Sequence, residues 1–432
     1  MLSADFPAKP VHALSPASVT AGPLPLSHPI AVTPAPPPVA HPSPTEVATA
    51  GLAPYRSPRA AYVHVPFCRH RCGYCDFTLV ANRDDLVDRY LAALARELAE
   101  LPAPHPVETL FLGGGTPSPL PPPALDRLLQ LLRHWLPLVP GGEWTLEANP
   151  LDLLSPQRIA LLAGAGVNRI SLGVQSFDPL VLRQLERDHT VPEVIEAVAA
   201  TRAAIPNVAF DLIFGVPGQA LASWNATLDQ ALALEPQHLS TYGLTIERGT
   251  SFYARHSRGE LLTPPEELER EMYQLACDRL PAAGLVQYEL SNFARPGRES
   301  RHNLVYWAAH PCLAFGPGAV RYVGGVREMG HRSTVTWLKR LEQGLSGRTF
   351  REELAPLARA QEALLVGLRR LAGIDSRQFL GDFGLTPEQA AGDALTRMEQ
   401  RGLLHQTPTG WALTTEGRFL ADLVAVELAP AE

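Results

Sequence analysis

Three cysteines within eight residues constrain this chain more than any other feature of its sequence. Cys68, Cys72 and Cys75 are separated by three and then two residues. A secreted disulfide framework would instead spread an even number of cysteines along the chain, and this chain has five. The grouped thiols therefore predict a metal or redox site in a reducing compartment. The two isolated cysteines, Cys277 and Cys312, are expected to be buried apolar side chains.

The spacing of the thiols favours an iron–sulfur cluster over zinc. Thiolates placed this way on one loop can converge on a cuboidal [4Fe–4S] cluster, for which three protein ligands leave one iron open. Arg69 and Arg71 add positive charge beside the anionic thiolates, and this charge favours the thiolate state. Zinc is the alternative, but it needs a fourth ligand such as His70, which is expected to be a surface residue between two arginines.

Length and composition set the broad class of the protein. The 432 residues allow one large domain or two ordinary ones, and 46% hydrophobic residues fit a globular protein with a substantial core. The net charge of −7 disfavours general binding of nucleic acid, and no apolar run approaches the length of a membrane span. We therefore expect a cytoplasmic protein. Residues 1–55 are rich in proline and alanine with few charges, which predicts a disordered tail.

From Tyr62 onward, short β-rich runs alternate with amphipathic runs whose apolar residues recur at helical spacing. The predicted strands are residues 61–65, 109–112, 144–147, 169–173, 208–214 and 238–244. The predicted helices between them are residues 86–101, 125–138, 156–164, 193–204 and 224–234. This repetition builds a parallel sheet, either open or closed into a barrel, with its chemistry at the ends of the strands.

The C-terminal part has a different pattern. Residues 264–283, 361–371 and 387–401 are predicted to be helical, and residues 403–414 to form a hairpin around Thr409-Gly410. Residues 302–307 are aromatic and polar without a clear period. The last helices and the hairpin would make a compact winged-helix-like module. Nucleic-acid binding is a common role of such a module, but acidic residues and sparse lysine favour a structural or lid role here.

Glycine and polar residues close the predicted strands. Residues 113–117 read Gly-Gly-Gly-Thr-Pro, and such a loop lets the backbone approach a ligand and offer its N–H groups. Glu147 and Gln175 end the third and fourth strands, and Arg187 follows a short helix. Asp211 lies within the apolar fifth strand, where an acid needs a partner. We expect these side chains to face one site.

The spacing of the three thiols, with an aromatic residue before the last, is similar to the signature of the radical S-adenosylmethionine (SAM) superfamily. In that superfamily the amino and carboxylate groups of SAM chelate the open iron. One electron from the cluster then cleaves SAM to give a 5′-deoxyadenosyl radical, chemistry that belongs to the cofactor. The resemblance implies a [4Fe–4S] cluster with SAM as its exchangeable ligand.

Nearly everything after residue 60 resembles the group formed by coproporphyrinogen III dehydrogenases (HemN) and HemW proteins. The matching segments are residues 62–68, 113–117, 147–150, 168–177, 211–218 and 288–294. The resemblance implies an α/β fold, a partial (β/α)6 radical SAM barrel followed by a small winged-helix-like α+β domain. It places SAM contacts at Tyr62, Gly114, Gly115, Thr116, Glu147, Gln175, Arg187 and Asp211.

Two positions favour the HemW branch of that group. The dehydrogenases carry a further Cys two residues after the third cluster ligand, where this chain has Phe77. Residues 302–307, His-Asn-Leu-Val-Tyr-Trp, match the HNxxYW motif of HemW proteins. Within that resemblance, the imidazole of His302 is predicted to bind heme iron while the aromatic faces cover the porphyrin.

The resemblance thus implies a heme chaperone in which no catalytic residue is assigned. Its partners would be heme, a heme-acceptor protein such as a membrane respiratory component, and an electron donor, without nucleic acid. Two other functions stay open. One is an oxygen-independent coproporphyrinogen III dehydrogenase, against which the missing fourth Cys counts. The other is a HemN-like radical SAM methyltransferase that uses a second SAM.

The same patterns predict a division of the chain into four parts. These are a tail (1–55), the radical SAM barrel (56–290), a connecting region that carries the HNxxYW motif (291–350) and the C-terminal domain (351–432).

Overall fold

The structure of the protein, a computed structural model, describes residues 57–429. The tail for which the sequence predicts disorder lies outside the described residues. No helix within residues 57–429 is long and apolar enough to cross a membrane.

Strands and helices alternate through most of the described chain. The strands are β1 (Ala60–Val65), β2 (Phe67–Cys68), β3 (Val80–Ala81), β4 (Val107–Gly114), β5 (Leu138–Ala148), β6 (Arg169–Gln175), β7 (Asn207–Phe214), β8 (His238–Gly243), β9 (Val286–Gln287), β10 (Asn292–Ala294), β11 (Cys312–Phe315), β12 (Val320–Val323), β13 (Val326–Gly330), β14 (Arg348–Glu353), β15 (Ile374–Asp375), β16 (Leu404–Gln406) and β17 (Gly410–Leu413). The helices are α1 (Val87–Leu98), α2 (Pro122–Trp135), α3 (Pro156–Ala165), α4 (Pro179–Gln184), α5 (Val191–Ala204), α6 (Leu221–Ala233), α7 (Ser251–Ser257), α8 (Glu266–Ala282), α9 (Arg301–Trp307), α10 (Thr334–Glu342), α11 (Pro356–Gly367), α12 (Ser376–Phe383), α13 (Pro387–Ala391), α14 (Ala394–Gln400), α15 (Thr415–Phe419) and α16 (Ala421–Leu428).

Six parallel strands form the wall of a partial barrel. They lie side by side in the order β1, β4, β5, β6, β7 and β8, and every adjacent pair is parallel. Five of them contain a predicted strand in full, and β8 ends at Gly243, one residue before the end of the predicted strand 238–244. Helices connect the six strands as expected for right-handed crossovers. All six residues of β1 are buried, as in a sheet covered on both faces. The predicted partial (β/α)6 barrel is confirmed.

The sheet continues beyond both edges of the barrel. On one side β11 pairs with β1 in parallel and is followed by the antiparallel strands β12, β13 and β14. On the other side β10 and then β9 add to β8. The described sheet therefore ends at β14 and β9, and the barrel wall has an open side.

Three predicted helices extend at least three residues too far at their C-terminal ends: those over 86–101 and 361–371 end at Leu98 and Gly367, and the third is over 125–138. The sequence predicts a helix over 125–138, whereas α2 ends at Trp135 and Leu138 begins β5. Leu136 precedes Pro137 and has φ −128°. The proline ring excludes the helical conformation from the residue before it, so the helix stops there.

The C-terminal domain has its own apolar core. This core includes Leu364, Phe379 and Trp411, with α16 packed against it. The predicted hairpin is confirmed as β16 and β17, and β15 adds a third strand. The predicted helix over 387–401 is two helices, α13 and α14. Gly392 separates them with φ 55° and ψ −136°, a conformation that continues no helix.

Candidate functional site

The three predicted cluster ligands lie between β1 and β3, at the C-terminal end of the barrel strands, in residues 66–79, which we call the cysteine loop; Cys68 is the last residue of the short strand β2 within it. All three line one cavity of about 1360 Å³ together with the Gly-rich loop after β4. Cys68 Sγ lies 3.5 Å from Thr116 Oγ1, and Cys72 Sγ lies 3.5 Å from Arg187 Nη1. The Cys75 N–H donates to the Cys72 carbonyl at 3.1 Å. The structure thus brings the thiols together with two of the predicted SAM contacts.

Hydrogen bonds from the two predicted cationic residues fix the backbone of this loop. Arg71 Nη2 donates to the Leu79 carbonyl at 2.8 Å, and Arg69 pairs with the buried carboxylate of Asp152 at 2.7 Å. The charge of Arg71 acts on Cys75 as the sequence predicts, whereas Arg69 is paired with Asp152, and both side chains hold the loop in place. His70 is exposed, as expected for a surface residue.

Two residues that support the loop were missed by the sequence reasoning. Buried His64 donates from Nε2 to the Thr78 carbonyl at 2.6 Å, and its Nδ1 lies 3.0 Å from the Tyr62 hydroxyl. Asp152, which holds Arg69, also accepts from Ser118 Oγ at 2.7 Å. The sequence did contain a signal for His64, because a histidine within an otherwise apolar strand is unusual. No sequence pattern links Asp152 to the cysteine loop.

The thiols have the chemistry of a metal site. Burial is the main cause that raises the pKa of Cys68 to about 11 and of Cys75 to about 12. Without a bound metal, both side chains would therefore be protonated thiols at neutral pH. A coordinated metal deprotonates such thiols, and its charge offsets their burial. Three cysteines that line one large cavity, two of them beside predicted SAM contacts, supply the donors that a [4Fe–4S] cluster needs.

The Gly-rich loop packs against the cysteine loop with its own N–H groups. Gly114 N–H donates to Glu147 Oε2 at 2.9 Å, Gly115 N–H to the Val65 carbonyl at 2.9 Å and Thr116 N–H to the Phe67 carbonyl at 2.7 Å. These N–H groups therefore have protein partners and are not offered to a ligand as the loop sequence suggested. The SAM contacts predicted at Gly114, Gly115 and Thr116 would therefore use acceptor atoms of the loop, which the ammonium group of SAM needs because it is a donor.

Gln175 and Arg187 line the same cavity with unpartnered polar atoms. Gln175 is buried in a left-handed conformation, with φ 65°, and its Oε1 accepts no hydrogen bond. Arg187 Nη2 donates to the Gly173 carbonyl at 3.1 Å, whereas its Nε has no partner. An unpartnered acceptor beside a cation fits a ligand that carries both hydroxyl donors and a carboxylate, as SAM does.

The other predicted SAM contacts lie deeper in the barrel. Tyr62, Glu147 and Asp211 line a second cavity of about 30 Å³. Asp211 has the partner that its strand position requires, because Ser171 Oγ donates to its carboxylate at 3.1 Å. Burial is the main cause that raises the pKa of Glu147 to about 7. Tyr242 lines both this cavity and the cluster cavity, and the sequence reasoning did not single it out.

His302 lies at the opposite end of the barrel from the thiols. Its Nδ1 is 2.9 Å from the hydroxyl of Thr109, near the N-terminal end of β4, and its Nε2 is 2.9 Å from the Tyr306 hydroxyl. Gly114 lies five positions after Thr109 in β4, a distance of about 16 Å along an extended strand. Burial lowers the pKa of His302 to about 3, so the ring is neutral. Iron binding would have to replace one of these two hydrogen bonds.

The HNxxYW segment is helical rather than irregular. Residues 301–307 form α9, and the Ser300 side chain caps it by accepting from the Asn303 N–H. Glu143 accepts from the N–H groups of Arg301 and His302. Seven residues are too few for a helical period to be visible in the sequence, so the prediction missed this helix.

Comparison with known proteins places the chain in a family. Residues 62–231 match the Radical SAM superfamily domain, and residues 354–420 match the HemN C-terminal domain. The Bacillus subtilis (strain 168) protein named heme chaperone HemW is 35% identical over 374 residues, 85% of this chain and 98% of that protein. The Mycobacterium tuberculosis (strain ATCC 25618 / H37Rv) heme chaperone HemW is 37% identical over 389 residues, 88% of this chain and 97% of that protein. The Mus musculus relative, named radical S-adenosyl methionine domain-containing protein 1, mitochondrial, is 36% identical over 392 residues, 87% of this chain and 88% of that protein.

The fold also matches a solved structure. Coproporphyrinogen III oxidase (HemN) from Escherichia coli, described as a radical SAM enzyme, superposes with a TM-score of 0.76. The match covers 86% of this chain and 90% of that chain at 22% sequence identity. At this identity the likeness establishes the shared fold. The two HemW proteins are 35% and 37% identical to this chain over 85% and 88% of its length. The chain therefore belongs to the HemW family of the radical SAM superfamily.

Proposed function

We propose that the protein is a heme chaperone, which binds heme and a SAM-chelated [4Fe–4S] cluster and transfers heme to an acceptor protein. The observation that carries this proposal is the match, over most of the chain, to relatives named heme chaperone HemW. Phe77, where HemN dehydrogenases carry a further cysteine, is consistent with this function.

The cluster would be held by Cys68, Cys72 and Cys75, with SAM on the open iron. Gly114, Gly115, Thr116, Gln175 and Arg187 line the same cavity and would contact SAM. Glu147 would fix the Gly-rich loop through its bond to the Gly114 N–H and is placed next to that site. Tyr62 and Asp211 would act from the deeper cavity.

When bound, the cluster supplies an electron to SAM. The protein's own part is to hold and shield that site. Arg187 would offer its cation to the SAM carboxylate, and the unpartnered Oε1 of Gln175 would accept from a SAM hydroxyl. The arginines that tie the cysteine loop to Leu79 and Asp152 keep the thiols at fixed positions.

The heme acceptor, the electron donor and the location of the protein in the cytoplasm remain predictions, as does His302 as the iron ligand. The division at residues 55, 290 and 350 is also a proposal. The Radical SAM and HemN C-terminal matches each fall inside one of its segments.

The direct test is anaerobic reconstitution of the cluster followed by titration with heme, read from the Soret absorbance. We expect one saturable site, and transfer of the bound heme to apomyoglobin as a generic acceptor. Cys68→Ser should lose the cluster absorbance. Cys277→Ser is the matched control, because Cys277 lies on α8 away from the cluster cavity.

A second incubation separates the chaperone from the dehydrogenase. The same protein receives coproporphyrinogen III, SAM and a reductant under anaerobic conditions. We expect no protoporphyrinogen. Its formation, or failure of the intact protein to bind heme, would overturn the proposed function.

A further inference from the structure

A third cavity lies between the barrel and the C-terminal domain, and its wall is mostly apolar. Its volume is about 240 Å³. Trp307 and Val320 line it from the barrel side, and Leu365, Leu368 and Val424 line it from α11 and α16. A mostly apolar cavity with a few polar groups has the usual form of a binding site for a small molecule.

Two buried donor atoms beside this cavity have no hydrogen-bond partner among residues 57–429. Trp307 is 6% exposed and its Nε1 N–H donates to nothing. Arg369 lies over the Trp307 ring at 4.7 Å from its centroid, and Arg369 Nε is also unpartnered. Both residues line the cavity. Unpartnered donors next to an apolar space fit a ligand that is largely hydrocarbon and carries acceptors such as carboxylates.

The chemistry of heme matches this wall. A porphyrin is flat and apolar, with carboxylates along one edge, and aromatic side chains can stack against its face. The wall also carries ionised groups beyond the apolar part, since Arg327 pairs with Glu352 at 2.8 Å and also with Glu362. His310, whose Nε2 lies 3.5 Å from Asp382 Oδ2, lines the cavity as well.

The cavity is next to both other cavities of the site. Asp422, on α16, lines this cavity and also the cluster cavity. Tyr306 lines this cavity and also the small cavity that contains His302. A cavity of 240 Å³ holds only part of a tetrapyrrole. The cavity that contains the thiols lies on the other side of Asp422.

We propose that this cavity receives the edge of heme that carries its carboxylates, held between Trp307 of the HNxxYW segment and the C-terminal helix α16. The proposal rests on the heme-binding function proposed above and specifies where in the protein heme binds. The C-terminal domain would form one wall of the heme site. Trp307 of the motif, rather than His302, would line that site.

The test fills the cavity and compares two adjacent residues of one helix. Ala425 is half-buried and lines the cavity, whereas Val426 is 48% exposed on the outer face of α16. We expect Ala425→Trp to weaken heme binding at least tenfold in the Soret titration of the reconstituted protein. Val426→Trp should bind heme within twofold of the wild type. Equal binding by the wild type and Ala425→Trp would overturn the proposed place of heme.

A second variant keeps the test decisive if Ala425→Trp fails to fold, as judged by circular dichroism and cluster absorbance. Trp307→Phe preserves an aromatic ring and removes the unpartnered Nε1 donor. We expect heme binding three- to tenfold weaker and a shifted Soret band. An unchanged affinity and spectrum would contradict the proposal. Failure of the wild type itself to bind heme would instead contradict the proposed heme-chaperone function, and with it the proposed heme-binding cavity.

Discussion

At the residue scale, the cysteine loop is held by side chains from distant parts of the sequence. The three thiols could be predicted because cluster ligands on one loop follow a local spacing. The roles of His64 and Asp152 could not be predicted, because each acts on a segment that only the fold brings near it. The Gly-rich loop was recognised as important, but its N–H groups bond the protein rather than a ligand.

Replacing Gly114 by alanine should displace the cysteine loop. Gly114 has φ 102°, and an added Cβ would lie 2.2 Å from the ring of His64, which holds Thr78. We expect a loss of about 2–4 kcal/mol in the free energy of unfolding and reduced iron content after reconstitution.

Gly297→Ala is the matched control for this variant. Gly297 also has a positive φ, 76°, but no atom lies within 4 Å of an added Cβ. Gly297→Ala should lower the free energy of unfolding by about 1 kcal/mol and leave the iron content unchanged. Equal iron content in both variants would contradict the steric explanation.

The geometry of His302 predicts a stabilising role. Its ring bonds Thr109 and Tyr306 and stacks on Phe111 with centroids 5.1 Å apart. We expect His302→Ala to lower the free energy of unfolding by about 2–4 kcal/mol, measured with urea, because it leaves a void and unpartnered hydroxyls. The Soret maximum of the folded variant tests the iron-ligand prediction separately, and a maximum equal to that of the wild type would contradict it. A shifted maximum would support the motif-based prediction that His302 binds iron.

At the element scale, long periodic segments could be predicted and short ones could not. The six barrel strands are apolar runs bounded by loops, and each was located by the sequence. α9 is too short to show a period, and the break at Gly392 depends on a backbone conformation that the apolar pattern does not encode. The antiparallel strands β12 to β14 were missed as well. Their residues are mostly half-buried or exposed and lack the apolar runs of the barrel strands.

A buried acid joins α1 to the loop after β11 and should make stability depend on pH. Glu97 is 2% exposed and accepts from the Gly316 N–H at 2.7 Å. Burial is the main cause that raises its pKa from 4.5 to about 7. The folded state therefore keeps this proton after the unfolded chain has lost it, so the contribution is present below pH 4.5 and is lost as pH rises through 7.

Glu97→Gln should flatten this dependence. Between pH 5 and 7, the free energy of unfolding of the metal-free wild type should fall with a contribution of up to about 1.4 kcal/mol per pH unit from Glu97. Urea unfolding at several pH values measures the slope. Glu196→Gln, at an exposed position of α5, should keep the wild-type slope. An identical slope in Glu97→Gln would show that Glu97 does not titrate in this range.

At the scale of the whole molecule, the C-terminal domain closes over the extended sheet and the segment between β9 and β10. The Leu290 N–H donates to the Arg369 carbonyl at 3.1 Å, and Arg369 Nη2 lies 3.7 Å from the fully buried Glu289 carboxylate. The sequence predicted both domains. Their contact could not be predicted, because it depends on how separate surfaces fit.

Arg369→Ala should weaken this contact between the domains. It removes the cation beside buried Glu289, whose remaining partners include the Asn292 side chain and the Ser291 N–H. We expect a loss of about 2 kcal/mol in the free energy of unfolding. Arg397→Ala, which removes an exposed arginine 4.0 Å from Glu427, should change it by less than about 0.5 kcal/mol. Equal losses would contradict a specific role of the buried pair.

The central claim is that one chain carries both a cluster on Cys68, Cys72 and Cys75 and a transferable heme. Native mass spectrometry of the anaerobically reconstituted protein with added heme measures this directly. We predict one species with the mass of the chain plus one [4Fe–4S] cluster and one heme, and loss of the heme mass after addition of apomyoglobin. A cluster-bearing chain that never carries heme would contradict the account.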